Sequence, residues 1–157
     1  MTEAAVDAIA PEGAFVQRFV VEPEQLSTLV PHLNNVEIVR WIDRVAEAHL
    51  DHAGWPRRTL AADGVMWFVA RHEIDYRGEA FANDAISAIT WVESYGRTTC
   101  LRATRLVRDR DARLLVAART RWAHVDLSSR RPTRIPEAVL RAVPALGEFG
   151  TVPRSRE

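Results

Sequence analysis

The chain has 157 residues, 47% hydrophobic and 27% charged, which suits one globular domain able to bury a core. Its 21 basic residues, all arginine, balance 21 acidic ones, so no net field draws it to nucleic acid or an anionic membrane, and near-neutrality favours association. One cysteine, Cys100, excludes an internal disulfide and fits a reducing compartment.

Residues 1–12 read as a loose tail that lacks the basic and apolar regions of a signal peptide. No run of about 18 apolar residues follows, so the expectation is a cytoplasmic protein with no membrane span. One domain is expected over 1–157, with its ordered core at about 14–143. Phe15, Phe19, Val20 and Val21 mark a first strand at 14–21. Pro23 and Pro31 then bracket an irregular connection with a short turn at 23–27.

The clearest element is a helix at 35–53. At about 100° per residue, Ile38, Val39, Ile42, Val45, Ala46, His49, Leu50 and Ala53 share one arc, and the charged residues from Glu37 to Asp51 share the other. Asn34 or Asn35 supplies the N-cap, and Gly54 with Pro56 the stop. Four strand-like segments follow at 65–76, 84–92, 98–107 and 114–125, with turns at 94–97 and 108–112. Short connections favour antiparallel neighbours, so the four are expected to form a meander. Pro136 sits where a short C-terminal helix would begin. The fold class is α+β, with one main amphipathic helix laid on an antiparallel sheet.

Four stretches in this order carry a resemblance. They are His32-Leu33-Asn34-Asn35-Val36 with Val39-Arg40-Trp41, then Arg71-His72-Glu73-Ile74-Asp75-Tyr76, then Asn83-Asp84, and finally Arg119-Thr120-Arg121-Trp122 running through Val125-Asp126 to Arg131-Pro132-Thr133-Arg134-Ile135-Pro136. Together, over about 15–139, they resemble the hotdog-fold thioesterases around 4-hydroxybenzoyl-CoA thioesterase and the plant acyl-ACP thioesterases. The resemblance implies a sheet wrapped around a long central helix, hydrolysis of acyl-CoA or acyl-ACP thioesters without cofactor or metal, and a homodimer or homotetramer with acyl sites between subunits. The helix N-terminus would supply oxyanion donors.

The chain departs from the pattern just before the histidine. Where many relatives have aspartate it has Thr28, where they have glycine it has Pro31, and the plant enzymes' asparagine is Val30. Threonine cannot serve as a carboxylate, so Thr28 is a substrate-binding candidate only, as are Asn34 and Asn35. Tyr76-Arg77-Gly78-Glu79-Ala80 is similar to a plant Tyr-Arg-x-Glu segment, which implies Glu79 as the carboxylate, paired with His32 as the catalytic histidine. Glu47 on the helix is a second carboxylate candidate, although the angular count sets it on the polar arc.

Ordinary roles stand beside these. His32 can tether the helix entrance, Asn34 and Asn35 can cap it, and Glu79 can be a solvated turn residue. His49, on the apolar arc, reads as a core histidine, and Cys100 as a small core residue. Trp67, Trp91 and Trp122 read as packing residues, and no histidine spacing marks a zinc site. Arg57, Arg58, Arg130, Arg131 and Arg134 could meet CoA phosphates or simply be solvated. Two further readings follow from the missing aspartate and from the versatility of the fold: a non-catalytic module that binds acyl thioesters, and another hotdog enzyme such as a dehydratase or polyketide-tailoring enzyme.

Overall fold

The computed structural model describes residues 1–150. Ten elements follow in order: α1 (Glu3–Asp7), β1 (Phe15–Val20), a 3-10 turn (Pro23–Gln25), α2 (Asn35–His52), α3 (Arg57–Ala62), β2 (Val65–Tyr76), β3 (Ala85–Tyr95), β4 (Thr99–Arg108), β5 (Arg113–Asp126) and α4 (Glu137–Ala142). The five strands make one antiparallel sheet in the order β1-β3-β4-β5-β2, and α2 lies on one face of it. This is the expected α+β hotdog arrangement.

The strand order corrects the expected four-strand meander. Only β3, β4 and β5 are consecutive neighbours, while β2 pairs with β5 at the far edge and β1 pairs with β3 at the other. Residues 77–84 therefore cross over rather than close a hairpin. The local turn chemistry at 94–97 and 108–112 specifies two hairpins; nothing comparable joins β2 to β3.

Helix α2 begins where Asn34 caps it, its side-chain oxygen accepting the Val36 N–H at 2.9 Å. It ends at Ala53, before Gly54 turns the chain in the left-handed region. Its buried stripe is Ile38, Trp41, Ile42, Val45 and Ala46. Trp41 lies outside the expected arc, so the stripe is turned about 40° toward it. Its ring stacks on Phe19 of β1, with centroids 4.9 Å apart. Burial of Trp41, Ile42 and Val45 contributes about 1.5–3 kcal/mol each.

The sheet is covered on both faces. Ile86, Ala88 and Leu106 face α2, whereas Ile89, Trp91 and Val107 face a second cluster. That cluster is completed by Val6, Ile9 and Ala10 near the N-terminus and by Leu146 and Phe149 near the other end of the described chain. The stretch read as a loose tail is thus packed, with Thr2 capping α1 and Ala10 buried. Helix α3, unforeseen in the sequence, is a short Pro56-led helix whose Leu60 is buried. No helix among the described residues is long and apolar enough to cross a membrane.

Candidate active site

The entrance to α2 and the crossover after β2 meet. The Leu33 N–H donates to the Ala80 carbonyl at 2.8 Å, and Asn34 N–H donates to Gln25 at 2.9 Å. These bonds pin the His32–Asn35 turn between the crossover and the 3-10 turn. A cavity of about 320 Å³ opens there, and His32, Asn35 and Glu79 all line it. Its apolar wall includes Ile38 and Trp41 from α2 and Leu106 and Val116 from the sheet. A volume of that order suits a small-molecule site with apolar walls and few polar groups.

His32 has a defined tautomer. Its Nδ1 lies 2.7 Å from the Val30 carbonyl oxygen. A carbonyl only accepts, so Nδ1 carries the hydrogen and the neutral ring leaves a lone pair on Nε2. The tethering role and the chemical role are therefore compatible: one nitrogen fixes the ring, and the other can take a proton.

Glu79 is exposed, and its position is set through its backbone. The buried Arg108 guanidinium donates to the Glu79 carbonyl at 2.9 Å. The same group binds Asp111 at 2.7 and 3.0 Å and lies 3.9 Å from the buried Asp84 carboxylate. Asp84 also accepts the Phe81 N–H at 2.9 Å and pairs with Arg110 at 3.1 Å. Asn83 takes a left-handed φ of 65°, a conformation that asparagine and glycine adopt more readily than other residues. Gly78 packs close to β5, where an added Cβ would come within 3.0 Å of Leu115 and 3.3 Å of Arg113.

The first turn of α2 offers fewer free donors than a bare helix end. Asn34 takes the Val36 N–H with its side chain and the Glu37 N–H with its carbonyl. The Asn35 N–H has no acceptor among the described residues, so one backbone donor remains beside the cavity.

The other candidates lie elsewhere. Thr28 is on an exposed loop and does not line the cavity. Asn34 serves as the cap and does not line it either. Glu47 sits further along α2, 3.6 Å from Arg57, which also binds Asp43 at 2.8 Å. Arg134 pairs loosely with Glu137 at 3.7 Å, and none of the five arginines considered for phosphates lines this cavity. Among the described residues no cluster of three metal-ligating side chains occurs. Arg108, which holds the Glu79 carbonyl, is not marked by any pattern in the sequence. Asp84 was visible only as part of Asn83-Asp84, and a lone arginine on a strand carries no pattern.

The model of the thioesterase-like superfamily matches residues 29–143. No curated protein matches in sequence. Among solved structures, a 1,4-dihydroxy-2-naphthoyl-CoA thioesterase from Synechocystis matches with a TM-score of 0.76 at 14% identity, over 83% of this chain and 95% of that one. An acyl-ACP thioesterase from Bacteroides thetaiotaomicron matches with a TM-score of 0.76 at 21% identity, over 92% of this chain and 57% of that one. A Staphylococcus aureus protein in complex with CoA matches with a TM-score of 0.75 at 16% identity, over 90% of each chain. At these identities the structural matches establish the hotdog fold.

Proposed function

Because this chain belongs to the thioesterase-like superfamily, we propose that it hydrolyses an acyl-CoA or acyl-ACP thioester to free acid and thiol at the entrance of α2. The observation that carries this reading is the convergence of His32, Asn35 and Glu79 on one cavity with an apolar wall. The apolar wall would take the acyl group, and the polar rim the thioester carbonyl.

In this scheme Glu79 takes a proton from water as the water oxygen bonds to the carbonyl carbon. The His32 Nε2 lone pair accepts a hydrogen bond from that water and orients it. The Asn35 N–H donates to the developing oxyanion. The C–S bond then breaks, and the proton held by Glu79 passes to sulfur, directly or through His32.

The same reading makes the chain a homodimer or homotetramer. Strand β2 has twelve residues, lies at the sheet edge, and leaves Phe68, Val69 and Tyr76 exposed. Pairing with a second β2 would cover that edge. Tyr76 also lines the cavity, so a partner there would help to close the site. A cytoplasmic location fits the free thiol of Cys100.

The test is release of free thiol from short, long and aromatic acyl-CoA esters and from acyl-ACP, alongside acyl-CoA binding. Turnover of at least one class is expected. Binding without turnover on any of them would favour the second reading, a non-catalytic thioester-binding module. The specific observation on its side is Thr28, exposed and carboxylate-free where many relatives have aspartate.

A further inference from the structure

Arg102 of β4 is 4% exposed, and it points to a second site away from the entrance of α2. It makes no ion pair: no carboxylate lies within 4.0 Å of it among the described residues. Its acceptors are neutral groups, the His49 Nδ1 at 3.0 Å and the Thr90 hydroxyl at 3.2 Å, both taken by one terminal nitrogen. A guanidinium has five N–H donors, so most of its capacity is unused.

The surrounding groups do not neutralise it. Burial, with Arg102 second, holds His49 down at about 4, so its imidazole is uncharged near neutral pH. Burial pushes the Cys100 thiol up to about 11, which keeps it protonated. The Tyr95 hydroxyl donates to the Val143 carbonyl at 2.6 Å. A buried, uncompensated charge is costly, and folded proteins ordinarily pair it.

Arg102 lines a cavity of about 20 Å³ under the C-terminal half of α2. Trp67 and Trp122 line it too, and neither indole N–H has an acceptor. Glu47 and Arg57 stand in the same lining, 3.6 Å apart from each other. The space admits a body the size of one water molecule or one monatomic ion; its wall is mainly apolar, and its one carboxylate, Glu47, is engaged by Arg57. Water cannot offset the charge.

The geometry points to a binding site for one small monovalent anion, a halide, held by the Arg102 guanidinium against the walls of Trp67 and Trp122. The anion compensates the buried cation and thereby stabilises the folded chain. This inference is independent of the thioesterase reading.

The test is thermal melting of the full chain at constant ionic strength, with sodium gluconate replaced stepwise by sodium chloride, bromide or formate. A saturable rise of about 2–5 °C with chloride and bromide is expected. Crystals grown in bromide should show an anomalous peak at the Arg102 guanidinium. Trp122→Phe, which reshapes the wall beside the guanidinium, should weaken the halide response, and Arg102→Met should abolish it. If Arg102→Met does not fold, the bromide peak and the Trp122→Phe titration still decide. Superimposable chloride and gluconate series without a bromide peak would overturn the proposal, leaving water as the occupant. A formate response without a halide response would also overturn it.

Discussion

Leu33 and Ala80 are joined by one backbone hydrogen bond of 2.8 Å, one residue away from both His32 and Glu79. That bond couples the helix entrance to the crossover after β2, so the histidine and the glutamate share one backbone frame. Glu79→Gln should lower kcat by about 10²–10⁴-fold, with KM changed little. His32→Ala should lower it by a similar or smaller factor. Steady-state thiol release measures both, and unchanged rates in both variants would remove these residues from the mechanism.

The crossover is itself held by Arg108, which is buried against Asp84 and binds the Glu79 carbonyl. Arg108→Met should leave the Asp84 carboxylate with Arg110 alone. A stability loss of about 2–4 kcal/mol is expected from chemical denaturation. At temperatures where the variant stays folded, kcat should fall more than KM rises, because Glu79 loses its placement. A folded variant with wild-type kcat would make Arg108 purely structural.

Asn83, at φ 65°, offers a cheaper probe of the same crossover. Asn83→Gly should be near neutral in stability, within about 0.5 kcal/mol, because glycine tolerates the left-handed region. Asn83→Val should cost about 1–2 kcal/mol or more, since a β-branched side chain is strained there. Equal stability of the two variants would show that the loop relaxes to another conformation.

His49 should give the fold a dependence on acid. Burial, then Arg102 and His52, lower its folded pKa to about 4 from 6.5. Between those values the unfolded chain binds the proton more readily, so stability is full above about pH 6.5 and is lost as pH falls toward 4. The ring is only partly buried, so the effect should be about 1–2 kcal/mol. His49→Gln, which keeps an acceptor for Arg102, should flatten the slope of unfolding free energy over that window. An unaltered slope would show that other groups set it.

Cys100 should be inert in the native state. It is buried, and its thiol is pushed up to about 11. At pH 8 its reaction with a disulfide reagent should run at least about 100-fold slower than in denaturant. Labelling at equal rates in both would show that β4 opens readily.

Local patterns in the sequence carried the helices and strands that have strong periodicity or turn chemistry. Helix α2 was legible from its amphipathic spacing and from Asn34, and the hairpin turns from their Gly and Asp residues. The place of β2 beside β5 was not legible, because a strand's partner depends on which edge remains free after the others pair. Trp41 escaped the expected stripe because Phe19, from a distant strand, supplies the surface on which it stacks. Short helices α1 and α3 have five and six residues, too few for any periodicity to register. His32, Asn35 and Glu79 were legible through motif resemblance, and they meet at one cavity. Thr28 was singled out for what it replaces, and the fold leaves it on an exposed loop. Arg102, Arg105 and Arg108 look like surface residues in a chain rich in arginine, and only the two-sided cover of the sheet makes them interior.

Arg105 turns that cover into a single fastening. Its guanidinium donates to the Ile9 carbonyl on one side and to the Phe149 and Gly150 carbonyls on the other. It also lies 5.3 Å from the Trp91 ring centroid and 5.7 Å from that of Phe149. Stretches nearly the whole chain apart are thus clasped by one side chain at the back of the sheet. Loosening either should release the other and lay Trp91 bare, so a protease that nicks near residue 9 should find the 143–150 stretch open as well, and tryptophan emission should shift to the red with the first cut.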